Sequence, residues 1–332
     1  MIGMPSTQPF PDSLCKIPSS STIHYWADFT ELLCLVNVDG EISEADLIAR
    51  TRRIAHDLKE GDEKFQSIKD SSAQDKDRWN NRARDIFSHL KYRKNCLGDY
   101  YPFDLSSNSE TLQLKDTISE RNCLYLFLLF ASNLGYLDQA RQILTNEFQE
   151  ISKATLEHLL PEWAKVYVFG PSGNSDQRYR GPLWEKIKLL SEDIRGKLLV
   201  EESFFSRKNV GDAGLDIVGW IPIPDPQPSL APGIPIFFGQ CACTDKWVEK
   251  QHSSSSDTWS SLIHTIHRTS NFAFIPFFFR NIDGGWQDYT KIHSSILIDR
   301  FRIIFLLKDS YNLNEDASSL LQDLISRKEE IY

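Results

Sequence analysis

The chain has 332 residues, 41% of them hydrophobic and 12% aromatic, which is enough to build one large or two smaller cores and excludes a disordered chain. Its formal net charge is −9. Proteins that coat nucleic acid without selectivity are usually basic, so any DNA contact is expected to be a local basic patch within an acidic whole.

Residues 1–22 are rich in Pro and Ser and read as a loose N-terminal arm. Met1 to Pro11 has neither the basic start nor the apolar run of a signal peptide, so a cytoplasmic protein is expected. From Ile23 to Val36, Trp26, Phe29, Leu32, Leu33 and Val36 recur at helical spacing. Asn37-Val38-Asp39-Gly40-Glu41 lacks the ligand order of a calcium loop. It reads instead as a turn before a Ser43-x-x-Asp46 capping box, with a helix to about Leu58. Residues 59–82 are charge-dense, and helical spacing returns from Trp79 to Leu90. Cys96 to Ser109 reads as a loop, Leu112 to Ala140 as helices around Leu124–Phe130, and 137–160 as further helix. The expectation is an all-helical domain over 23–160, without catalytic spacing. Its longest apolar run, Leu124 to Ala131, is too short to cross a bilayer, so no membrane partner is expected.

At Pro161 the texture changes. Lys165–Phe169 is strand-like, and Gly170–Asn174 is a turn without the Gly-Lys-Ser/Thr of a phosphate loop. Leu183–Leu199 is an amphipathic helix carrying Glu185 and Glu192. Two strands follow, around 215–220 and 236–240, then a short helix from Asp245 and a helix from Asp257 to about Arg268. Asn271–Phe279 reads as a strand, with Pro276 marking an edge or bulge, and Ile292–Leu307 as a helix. The α/β domain is expected over 161–310, and a C-terminal helix over 311–332 closes the structure or docks a partner.

The six cysteines (Cys15, Cys34, Cys96, Cys123, Cys241 and Cys243) form no CxxC pair and suit reduced thiols. Cys241-Ala-Cys243 lacks the second pair a zinc site needs. His264 and His267 lack a third ligand and read as helix-face residues.

The organising stretch is Gly211–Lys250. Gly211 and Gly214 are free to take positive φ at a tight corner between Asp212 and Asp216. Two strands joined by a Pro-rich reversal would bring Asp216 beside Gln240 at one end of a sheet. Such oxygen groups suit Mg²⁺, with Mn²⁺ as the substitute, when water and substrate phosphate complete the shell. An acid in an apolar strand costs several kcal/mol when charged and unpaired, on the order of 2–7 for a polar group and more for an ion, and a cation offsets that. Asp212 reads equally as a ligand or as an Asx-turn residue. Lys250 lies one turn after Trp247 and could run its stem along that ring to reach the site; Lys246 is second to it. Arg178, Arg180, Arg207 and Lys208 flank the site and could contact phosphates.

The residues Gly211-Asp212-Ala213-Gly214-Leu215-Asp216-Ile217-Val218, followed by a strand ending in Gln240-Cys241, resemble the core of the PD-(D/E)XK nucleases, with the Mrr-like restriction endonucleases as the closest pattern. The resemblance covers about forty residues in detail and implies a restriction-endonuclease-like α/β fold, a mixed sheet flanked by helices. It implies Mg²⁺-dependent hydrolysis of DNA phosphodiesters in restriction or antiviral defence. Asp216 and Gln240 would hold the metal, Lys250 would replace the lysine role, and Glu185 could add a ligand from the preceding helix. Partners would be DNA, a protein of a defence complex, or a second copy of the chain. One departure stands out: the family's lysine position falls on Ala242. An inactive nuclease fold that binds DNA or assembles a complex is therefore the first rival, and a helical adaptor using residues 23–160 the second.

Overall fold

The computed structural model describes residues 16–18, 22–59, 73–170, 177–206 and 211–329. Most of the expected arm, the turn beyond Gly170, and both Arg207 and Lys208 lie outside the described residues. The chain divides into two units: 1–144 with 277–287 and 313–332, and 145–276 with 288–312. The expected boundary at 160/161 thus falls inside the second unit.

In the first unit, helix α1 (Ile23–Val36) is buried along almost its whole length. Strand β1 (Glu41–Ser43) follows, after a turn in which Gly40 takes φ +66°. The Ser43 N–H donates to the Asp46 carboxylate at 2.9 Å and the Asp46 N–H to the Ser43 hydroxyl at 3.2 Å, so the capping box starts α2 (Glu44–Lys59). Helix α3 (Ala73–Leu97) leads to strands β2 (Phe103–Leu105) and β3 (Thr111–Leu114), then α4 (Glu120–Ser132). The three strands form an antiparallel sheet ordered β1-β3-β2. The expectation of an all-helical N-terminal region is corrected by that sheet. Strands of three or four residues are too short for alternation to register, and their pairing partners lie far apart in sequence. A C-terminal helix, Glu315–Ser326, buries Ala317, Leu321 and Leu324, and Asn314 caps it by accepting from Ala317 N at 2.8 Å.

The second unit takes most of α5 (Arg141–Leu159), then β4 (Lys165–Val168), α6 (Leu183–Asp193) and β5 (Lys197–Leu198). Next come β6 (Ile217–Trp220), β7 (Ile236–Cys241), α7 (Trp247–Lys250), α8 (Ser256–Trp259) and β8 (Ile263–His264). The unit closes with β9 (Ser270–Phe274), β10 (Ile296–Ile298) and α9 (Arg300–Leu307). Its five-stranded sheet is ordered β10-β9-β7-β6-β4. β4, β6 and β7 are antiparallel neighbours, whereas β7, β9 and β10 run parallel.

β6 is buried at every residue, which explains its unbroken apolar run: a central strand is covered on both faces. Ile187 and Leu190 of α6 share a buried cluster with Val218 and Phe238. On the alternate side, Gly219 is so close to Leu156 of α5 that an added methyl would stand 3.5 Å from that side chain. The class is therefore a mixed sheet flanked by helices.

Three helix expectations are corrected: the helix expected over Leu183–Leu199 ends at Asp193, and Lys197–Leu198 form β5. Residues 257–268 hold only the short α8 and then β8, and 292–299 contribute β10 rather than the start of a helix. The apolar residues these windows bring to the strands, Ile263 and Ile296–Ile298, are too few for their period to separate helix from strand, and sheet pairing decides. β9 stops before Ile275, whose N–H still bonds to Ile298, and Pro276 follows. Among the described residues no helix is long and apolar enough to cross a membrane.

Candidate active site

Asp216 immediately precedes β6, and Gln240 is the next-to-last residue of β7. Ile217 pairs with Gly239, so the two polar side chains emerge beside each other at one end of the hairpin. The backbone locks them there: Asp216 N–H donates to Gly239 O at 3.0 Å, and Phe169 N–H donates to Asp216 O at 2.7 Å.

The Asp216 carboxylate is 4% exposed and accepts three hydrogen bonds. Oδ2 accepts from the Gln240 amide Nε2 and, at 2.7 Å, from Cys241 N–H. Oδ1 accepts from Gln149 Nε2 of α5 at 2.8 Å. Gln240 Oε1 accepts from the Ser253 hydroxyl at 2.8 Å. Gln149 Oε1 is buried without a hydrogen-bond partner. Burial pushes the Asp216 carboxyl up to about 7. Nearby Asp212 also raises it, while the Cys241 N–H, Gln149 and the charge of Lys250 act the other way.

The corner before β6 takes positive φ at Ala213 (+51°) and Gly214 (+79°), and not at Gly211 as expected. Asp212 closes it as an Asx turn, Oδ1 accepting from Gly214 N–H at 2.8 Å. The other Asp212 oxygen faces the same gap as Asp216. A methyl placed on Gly170 would lie 3.2 Å from Asp216 Oδ1, 3.6 Å from Asp212 Oδ2 and 3.0 Å from Gln149 Nε2. Glycine at 170 thus lets its backbone pass close against two carboxylates and an amide.

Lys250 ends α7 as an exposed residue, beside buried Trp247, and its charge is felt at both Asp216 and Cys241. Lys246 is exposed at the start of α7. Glu185 is not brought to Asp216: it is exposed, and its carboxylate folds over Gly181. Arg178 is engaged by Asp193, its Nε donating at 2.7 Å, and lies over the Tyr167 ring; exposed Arg180 donates to Gln177 O at 2.7 Å. His264 lies in β8, and the His267 ring is held by carbonyls of Ile234 and Arg268, so neither sits on a helix face.

Three participants carry no sequence signal: Gln149, Ser253 and Lys186. Lys186, on α6, is buried with Nζ 3.5 Å from Phe169 O. Burial lowers its pKa, and the Asp212 charge opposes that. Each is an ordinary polar residue on a helix or loop, and only the packing of α5, α6 and the 250–255 segment around β6 makes it part of a site.

No protein-family model, no curated protein and no solved structure matches this chain. Among the described residues no three His, Cys, Asp or Glu side chains gather as a metal cage. The groups here that could offer oxygen to a hard cation are the carboxylates of Asp212 and Asp216, one or two carboxylates being what Mg²⁺ takes while keeping much of its water; both glutamine amides turn their nitrogens to Asp216.

Proposed function

We propose that the second unit is a metal-dependent phosphodiester hydrolase acting on DNA, built on the PD-(D/E)XK plan. Restriction or antiviral defence is the role that resemblance implies. The observation that carries the reading is the meeting of Asp216 and Gln240 across the β6–β7 pair, with an Asp212 oxygen close by against Gly170. Strand directions support it: an antiparallel meander, then a parallel strand reached through helices.

Asp212 and Asp216 would hold the divalent cation, with Gln149 and Gln240 turning their amide oxygens toward it. Turning Gln149 would give its orphaned Oε1 a partner in exchange for the Nε2 bond to Asp216. When bound, the ion would polarise the phosphate and lower the pKa of a coordinated water. The chain's own groups do the rest. Asp216 supplies negative charge once it is ionised. The Lys250 ammonium steadies charge developing on the phosphate. Lys186 balances Asp212 from the buried side.

One observation favours the inactive rival: Ala242, buried, stands where the resembled family carries lysine. Plasmid nicking in Mg²⁺ and then Mn²⁺ separates the two. The hydrolase reading expects cutting that Asp216→Ala abolishes while circular dichroism stays unchanged. DNA binding without cutting in either metal would install the inactive fold in its place.

A further inference from the structure

Gln251 is almost fully buried (1%), directly after α7. Its side chain ties down the loop that precedes β10: Nε2 donates to Lys291 O at 2.8 Å, and Oε1 accepts from His293 N–H at 3.0 Å and Ser295 Oγ at 2.7 Å. Asn271 of β9 adds a donor to Gln251 O at 2.9 Å. A buried amide with this many bonds fixes the loop against the end of α7.

The result on the surface is a set of cations and π-faces. His252 and His293, both exposed, stack with ring centroids 5.7 Å apart and 25° between planes. Tyr289, on the same loop, is 77% exposed. Lys250 and Lys291 supply ammonium groups on the two pinned segments. The loop's acid, Asp288, is turned into its own backbone, accepting from Thr290 N–H at 3.0 Å and Thr290 Oγ1 at 2.6 Å. Glu249 is an exposed acid on the α7 side. This surface adjoins the candidate site through Ser253, whose hydroxyl lies 2.8 Å from Gln240 Oε1 and 2.6 Å from Lys250 O.

We infer that Tyr289 and the His252–His293 pair form a stacking platform that, with Lys250 and Lys291, holds single-stranded DNA beside the Asp216 site. Aromatic faces interleaved with cations suit unpaired bases on a phosphate backbone, whereas a closed duplex hides those faces. The inference rests on the hydrolase reading only for the strand's fate, because binding needs no metal.

Fluorescence anisotropy in EDTA, comparing a labelled single strand of about 20 nucleotides with its duplex, tests it. The single strand should bind about tenfold tighter than the duplex. Tyr289→Leu and the double change His252→Ala/His293→Ala should each weaken it several-fold to about tenfold, and Tyr289→Trp should restore binding. Lys153→Ala, which removes an ammonium engaged by Glu157 at 3.1 Å, should change nothing. Equal or better duplex binding, or single-strand affinity untouched by the platform changes, overturns the inference. Plasmid nicking in Mg²⁺, measured separately, keeps the two readings apart: nicking can persist with no platform, and the platform can bind where nothing is cut.

Discussion

Asp216 shows how one residue can be read in sequence and still hold a surprise. An acid beside a buried strand needs compensation, and here it comes from three neutral donors. They do not offset burial, which pushes the carboxyl up from its ordinary 3.8 to about 7. The unfolded chain therefore binds fewer protons than the fold between those values, and stability falls as pH rises through that window. Thermal melts at pH 5 and pH 8, bracketing the shifted value of about 7, should show the wild type less stable at the higher pH, all else equal. Asp216→Asn should flatten its share of that difference. The Gln149 amide can turn its unpartnered oxygen to the new NH₂, so the variant should still fold. Arg93 poses the opposite case. It is completely buried, donating to Asp28 at 2.6 Å and Glu31 at 2.9 Å, while Tyr101 and Tyr125 bond Glu31. Arg93→Met would remove the cation shared by two buried carboxylates and should cost roughly 3–5 kcal/mol in a denaturant titration.

At the scale of elements, the β6–β7 pair and its corner carry the site. Gly214, at φ +79°, packs so tightly on Ser253 that an added methyl would lie 2.5 Å from that residue's Cβ. Gly214→Ala is therefore expected to displace Ser253 from Gln240 and to lower nicking more than it lowers melting temperature. Gly239 has a different reason: its methyl would meet the Phe274 ring of β9 at 2.9 Å. Gly239→Ala should cost about 1–3 kcal/mol by overpacking, read in the same titration. The hairpin was legible because its two apolar runs are bounded by Gly and Pro, and a two-residue period fixes which side chains adjoin. The 257–268 and 292–299 windows were not, because so few apolar residues suit a strand or a helix until a neighbouring strand claims the backbone groups. Glu185, expected as a further ligand, lies exposed with its carboxylate over Gly181. The helix that reaches Asp216 is α5, through Gln149, and not α6 at Glu185.

For the whole molecule, the units are interleaved in sequence, with 277–287 and 313–332 belonging to the first. The C-terminal helix is thus part of a core. Deleting 313–332 should destabilise the first unit and raise its protease sensitivity, since Ala317, Leu321 and Leu324 are buried. With a net charge of −9, the proposed DNA contact would draw on only a few cations. With about two phosphates neutralised by Lys250 and Lys291, single-strand affinity should fall about sevenfold between roughly 50 and 200 mM salt. A steeper slope would point to a larger basic surface. Composition, apolar runs and turn residues by themselves determined that the chain folds, where its central hairpin lies, and which acid and amide close its end. Those are local properties, set by period and by backbone freedom at glycine. Only the tertiary structure decided that Gln149, Lys186 and Ser253 join them, that the N-terminal unit holds a sheet, and that Gln251 pins two exposed histidines together. Such contacts join residues far apart along the chain, and it is packing, not local preference, that selects them.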